Sequence, residues 1–308
     1  MPAPWVTVMG SFVADLAFRT DKLPAWGETF MGNSFHLGPG GKGSNQAVAA
    51  ARAGGRVSFI SKLGNDPFGD LARALYRTEG IDTRHLLTTA TATGAAAILL
   101  DAHTGENSII VVPGACFELT AEELDGMTAL IAASAVFVTQ LELALPTVER
   151  GLSLAHSLGV RTILNPAPAC QLPASIFPNC DFITPNESEA EILTGIRVAT
   201  VADAELAADA LLGLGVRNVV VTLGSQGAFV KNAAVSAHVA AFNAGPVVET
   251  TGAGDAFTGG LAVALAEGRD ILEAARFGCA VAGISVTRPG TAPSMPTRPE
   301  IDAQLIGS

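Results

Sequence analysis

Positive charge is scarce in this 308-residue chain. Lys and Arg number 18 against 29 Asp and Glu, a formal net charge of −11. Holding a nucleic-acid backbone requires a basic footprint, and no run of Lys or Arg exists to dock on an anionic membrane. Neither partner is expected. Phosphate chemistry stays open, because backbone amides and Mg²⁺ can hold a phosphate on an acidic protein. Cysteine is sparse too: Cys116, Cys170, Cys180 and Cys279, with no C-x-x-C. The five His (36, 85, 103, 156, 238) form no spaced pair. No zinc site or disulfide framework is expected, and mostly buried, reduced thiols fit a cytoplasmic protein. Long apolar runs are also missing: Ile98–Leu100 and Ala262–Ala266 cannot span a bilayer. The segment Met1–Gly10 lacks the basic start of a signal peptide and reads as a short tail entering a strand. There is no internal repeat and no G-x-S-x-G elbow.

What is abundant is apolar and turn-forming material. Hydrophobic residues make up 49% of the chain and 33 residues are Gly. Short β-rich runs (Trp5–Met9, Ser58–Lys62, Val136–Gln140, Thr162–Asn165, Phe182–Thr184, Val219–Thr222) alternate with helical ones. The helical runs are Ser44–Ala53, Asp70–Glu79, Pro146–Ser157, Glu187–Leu193, Ala204–Leu214, Ala253–Ala266 and Leu272–Val286. That alternation predicts one α/β domain over 1–308, a doubly wound and mostly parallel sheet with helices on both faces. Two stretches break the rhythm, residues 12–38 and a hairpin pattern over 95–112. Together they predict a small β lid of antiparallel additions.

Several glycine-rich turns stand before helices. In Glu249-Thr250-Thr251-Gly252-Ala253-Gly254-Asp255, the glycines admit a close ligand and the helix start offers free amides. This pattern suits an anion hole with Asp255 as general base, and equally a capped turn. It is no dinucleotide fingerprint, since Phe257 holds the third glycine position. Gly40-Gly41-Lys42-Gly43-Ser44-Asn45 fails as a P-loop. Lys42 and Asn45 could instead hold a polyhydroxyl ligand, with Gly40-Gly41 as a hinge; equally, the run is a flexible turn with Ser44 as the helix N-cap. Asn186 with Glu189 three residues on has capping geometry, and could also lie near Mg²⁺ and nucleotide phosphates. Glu142, at a strand end, is either a surface carboxylate or a sugar ligand. Thr222-Leu223-Gly224-Ser225-Gln226-Gly227 is a strand and turn that could line a nucleotide pocket.

In their order these motifs resemble the ribokinase (PfkB-type carbohydrate kinase) family. They run Gly-Gly-Lys-Gly-x-Asn, Asn-Pro-Ala-Pro-Ala (165–169), Thr-Pro-Asn-Glu-x-Glu, Thr-Leu-Gly-x-x-Gly and Gly-Ala-Gly-Asp. The resemblance covers nearly the whole chain and is strongest to the ribokinase branch. It implies transfer of the ATP γ-phosphoryl group to a primary hydroxyl, the 5-hydroxyl for ribose, and dimerisation through lids. By position, it makes Asp255 the base and Gly252, Ala253 and Gly254 the anion hole. Asp15, Val13, Gly41, Lys42, Asn45 and Glu142 would surround the sugar. Asn186, Thr222, Gly224, Gly227, Gly254 and Cys279 would border ATP, and Glu189 would hold Mg²⁺ through water. A monovalent-cation loop, potassium in the family, maps onto Glu249, Thr251, Ser285, Arg288, Gly290 and Ser294, mostly through backbone oxygens.

Two positions depart from the family pattern. Glu249 stands where Asp is usual, which moves the carboxylate. Val13 stands where Asn is usual, so a sugar hydroxyl facing it loses a partner, at roughly 1–3 kcal/mol. A sugar without that hydroxyl, 2-deoxyribose, is therefore an alternative acceptor to ribose. Other sugars and nucleosides remain open, as does a sugar-binding regulator without chemistry.

Overall fold

Alternate residues along the central strands feed two different cores. In Asn218–Thr222, Val220 belongs to the same buried core as Val6, Val57 and Leu261, while Val219 and Val221 belong to the core that holds Phe137, Leu152 and Leu211. A strand buried on both faces belongs to a sheet covered by helices on both sides. The computed structural model describes residues 5–104 and 106–307. Met1–Pro4 of the expected tail and Gly105 of the expected hairpin turn lie outside these.

The strands are β1 (Trp5–Met9), β2 (Val13–Thr20), β3 (Ser34–Gly40), β4 (Arg56–Gly64), β5 (Leu86–Thr89), β6 (Thr93–Asp101), β7 (Asn107–Gly114), β8 (Val136–Thr139), β9 (Arg161–Leu164), β10 (Phe182–Ile183), β11 (Asn218–Thr222), β12 (Ala228–Asn232) and β13 (Ser236–Val239). The helices are α1 (Lys42–Arg52), α2 (Pro67–Thr78), α3 (Ala121–Asp125), α4 (Thr128–Ala132), α5 (Leu145–Ser157), α6 (Glu187–Thr194), α7 (Val201–Gly213), α8 (Ala253–Ala266), α9 (Ile271–Ser285) and α10 (Arg298–Ile306). Nine strands form one sheet in the order β13-β12-β11-β10-β9-β8-β1-β4-β5. It is parallel from β5 to β11, and β12 and β13 run antiparallel at one edge. Chain order reverses around β1, which lies between β8 and β4, so a ligand crevice is expected outside the carboxyl ends of these strands.

The lid is a separate four-stranded sheet, β3-β2-β6-β7. Each hairpin within it is antiparallel, but β2 and β6 pair in parallel, Val13 opposite Gly94 through Thr20 opposite Asp101. This corrects the expected all-antiparallel addition. The cause is topological: β2 follows β1 and β6 follows β5, so both leave the same edge of a parallel sheet in the same direction. One further expectation fails. Helix α1 begins at Lys42, with Gly41 as its cap, and Ser44 is buried inside the helix, not capping it.

Candidate active site

The crevice is walled by the starts of two helices, α8 and α1. At α8, Gly252 caps the helix in the left-handed region at φ 82°, where a side chain would be strained. The Ala253 amide is turned back to the Thr250 carbonyl at 3.1 Å. Of the three residues expected to form an anion hole, Gly252 and Gly254 therefore have amides with no protein acceptor among the described residues, and Ala253 does not. These amides lie at the positive end of the helix dipole.

Asp255 follows, only 5% exposed. Asn45 Nδ2 donates to its Oδ2 at 2.9 Å and Gln46 Nε2 to its Oδ1 at 3.0 Å. Burial pushes its pKa up, against the pull of the Lys42 charge and these two amide bonds. A carboxylate made more basic but still hydrogen-bonded suits proton abstraction. Gln46 does more than hold Asp255. Its amide also donates to Asn165 Oδ1 at 3.0 Å and accepts from Gln140 Nε2 at 2.6 Å, while Asn165 donates to Thr184 O at 3.0 Å. This amide chain ties α1 and α8 to the ends of β8, β9 and β10. Sequence reasoning assigned no role to Gln46, Gln140 or Asn165. The signal was available: Lys42, Asn45 and Gln46 share one helix face at i, i+3 and i+4.

On the lid side, Glu142 is half-buried, not a surface residue. Its Oε2 accepts the Lys42 amide at 2.8 Å and the Ser11 hydroxyl, which fixes the start of α1. Burial works against the charge of Lys42, but Asp255, Glu142 and Glu189 outweigh it and raise its pKa. Asp15, on β2, has its carboxylate where a side chain on Gly40 would collide with it at 2.2 Å. Burial, then the charges of Glu142 and Glu249, push the Asp15 pKa up to about 6. Val13 is buried beside Gly41, whose added Cβ would meet the Val13 amide at 2.8 Å. Asn45 Oδ1 is buried and has no hydrogen-bond partner among the described residues. A buried acceptor left without a partner, on the residue that holds Asp255, fits a ligand hydroxyl.

A polar cavity of about 130 Å³ joins the two walls, lined by Lys42, Asn165, Thr184, Asn186, Glu189 and Asp255. Next to it lies a larger and more apolar cavity of about 650 Å³, and both share Asn186, Thr222 and Gly254. The larger size is that of a small-molecule site. Thr222, Gly224, Gly227 and Cys279, which the family resemblance groups around ATP, are brought together on its wall. Burial pushes the Cys279 thiol up to about 12, which disfavours the reactive thiolate. Phe242, Ala244 and Val247 also line it and were not foreseen, because residues 241–247 carry no pattern of regular structure; Phe257 on α8, Ala282 on α9 and Val286 at the end of α9 complete the apolar wall. Asn186 and Glu189 form a reciprocal capping box on α6, Asn186 N to Glu189 Oε2 at 2.8 Å and Glu189 N to Asn186 Oδ1 at 2.8 Å. The cap and the cavity wall are the same residues.

Beside the α8 turn, which Thr251 enters, Glu249 Oε2 accepts the Gly290 amide at 2.8 Å. Ser285 and Ser294 donate their hydroxyls to Ala282 O and Thr291 O, and Arg288 pairs with Glu300 at 2.6 Å. Any cation here would rest on backbone carbonyls and the remaining Glu249 oxygen. Among the described residues, no three His, Cys, Asp or Glu group to hold a metal.

The model of the pfkB family carbohydrate kinases matches residues 4–298. A ribokinase of Haemophilus influenzae is 41% identical over 295 residues, covering 96% of both chains. A deoxyribokinase of Salmonella typhi is 36% identical over 302 residues, covering 97% of this chain and 98% of its own. Among solved structures, an Arabidopsis thaliana ribokinase complexed with ribose and ATP superposes with a TM-score of 0.94 at 32% identity, covering 99% of each chain.

Proposed function

This chain belongs to the pfkB family of carbohydrate kinases, and we propose that it moves the γ-phosphoryl group of ATP to the 5-hydroxyl of D-ribose. The observation that carries this is Asp255, buried between the amides of α1 and the start of α8 at the wall of the polar cavity. The sugar lies over Asp15, Gly41, Lys42, Asn45 and Glu142. ATP lies in the larger cavity, its γ-phosphate in the smaller. Asp255 takes the proton of the hydroxyl as its oxygen bonds to phosphorus, and the bond to the leaving ADP breaks. The amides of Gly252 and Gly254 stabilise charge on the transferring group, which is most of what such catalysis requires.

Glu189 fits Mg²⁺ in kind: one carboxylate at the phosphate cavity, with water and phosphates supplying the other ligands, is how this ion is usually held. Bound there, it would neutralise phosphate charge. The Glu249–Gly290 contact assembles the loop assigned to potassium, so kcat should rise when potassium replaces tetramethylammonium. The exposed lid strand Ile109–Val112, with Phe35 and Leu37, supports a homodimer through the lids. Four free cysteines suit the reducing cytoplasm.

Val13 favours a second reading, 2-deoxyribose as acceptor, since this buried side chain offers a sugar hydroxyl no partner. A comparison of kcat/KM decides between the sugars. A ribose preference above tenfold discards the second reading, and Val13→Asn should shift preference toward ribose. Absence of ATP consumption with any pentose, hexose or nucleoside would leave the silent sugar-binding regulator.

A further inference from the structure

The segment Arg288–Met295 touches both halves of the site, and Thr291 makes the connection. Its hydroxyl donates to Pro39 O at 3.1 Å, next to the last residue of lid strand β3, just before Gly41 and Lys42. Its own Cα, Cβ and Cγ2 lie 3.4 Å from where a side chain on Gly252 would begin, so Thr291 backs the anion-hole turn. The segment is itself fixed. Gly290 N is held by Glu249, Thr291 O accepts the Ser294 hydroxyl at 2.7 Å, and Arg52 at the end of α1 donates to Pro293 O at 3.1 Å and Met295 O at 2.9 Å. Arg52 is locked in turn by Glu79 at 2.6 Å. One hydroxyl thus ties the base of the sugar-binding lid to a braced support behind the phosphate-binding turn.

We propose that Thr291 is a positioning residue that couples the two substrate sites: its hydroxyl holds β3 in register with the Gly252 turn, so occupancy of one site favours the lid position that the other requires. Thr291 lines neither cavity and acts through Pro39 and Gly252. The proposal rests on the reading of the crevice as a sugar and nucleotide site. Coupling of this kind is a difference in binding free energy and is reciprocal between the ligands.

The test is calorimetric titration with whichever of D-ribose and 2-deoxy-D-ribose the native enzyme turns over faster. The sugar Kd is measured with and without a saturating non-hydrolysable ATP analogue and Mg²⁺. In the native protein the analogue tightens the sugar Kd. Thr291→Val, which keeps the methyl contact with Gly252 and removes the hydroxyl, should cut that tightening at least threefold. The Kd without nucleotide should stay within twofold, and Thr291→Ser should restore the tightening. If Thr291→Val does not fold, Thr291→Ala should report the same loss. Native tightening in the hydroxyl-free variant, or a native sugar Kd that ignores the nucleotide, overturns the proposal. Turnover by the native enzyme is the separate check on the kinase reading, so native turnover with unchanged coupling in Thr291→Val discards the Thr291 role alone.

Discussion

At Asp255, burial and hydrogen bonding pull in opposite directions. Burial raises the pKa while Lys42, Asn45 and Gln46 favour the charged form. Asp255→Asn should lower kcat by about 10²–10⁴, the usual worth of a general base, and leave the sugar Kd within a few-fold. Steady-state kinetics beside titration separates the two. Asp15 supplies the pH dependence. Its pKa is raised, by burial first and then by Glu142 and Glu249, to about 6. Above that pH the carboxylate is charged and, in the proposed sugar site, would accept hydroxyls; below it the group is neutral and a weaker acceptor. The sugar KM should therefore rise as pH falls through about 6, and Asp15→Asn should lose that limb of the profile. Asp15 and Asp255 could be named from the sequence. Their environments could not, because the neighbours that set them come from chain segments far apart.

At the scale of elements, α1 organises the site. Its first turn presents Lys42 and, with Asn45 and Gln46, reaches Asp255. Gln46→Leu removes the partner of Asp255, Asn165 and Gln140 at once. Leaving such groups unpaired costs about 1–3 kcal/mol each, so a thermal melt should show a lower Tm, and kcat should fall with it. Helix α8 was readable residue for residue, Ala253–Ala266, because its apolar run follows an unmistakable glycine pair. The start of α1 was misjudged by two residues because Ser44 looked like a cap, whereas Gly41 caps it at φ 87° and Ser44 faces the core. Strands β12 and β13 went unforeseen: their pairing runs antiparallel in a sheet whose pattern was parallel. The short helices α3 and α4, five residues each, fall below the length at which periodicity shows.

On the scale of the molecule, the division of labour follows the topology. The parallel sheet delivers site residues at its carboxyl edge, and the lid is a separate sheet built from two chain segments, β2–β3 and β6–β7. Order of motifs along the chain was enough to read the architecture. The parallel seam between β2 and β6 was not, since it depends on where two distant strands leave the core. The fold leaves lid strand β7 uncovered, with Ile110 67% and Val112 60% exposed. If lids pair, Ile110→Asp should convert a dimer to a monomer in sedimentation equilibrium; a native monomer at the same concentration would refute the pairing. The central claim concerns the atom that receives phosphate and the base that prepares it. Phosphorus NMR of a mixture of ATP, Mg²⁺, D-ribose and enzyme tests it most directly. The account predicts a growing sugar 5-phosphate signal with the native protein and one at least a hundredfold slower with Asp255→Asn, in line with the loss of a general base. Phosphate on any other position, or equal rates from the two proteins, would contradict it.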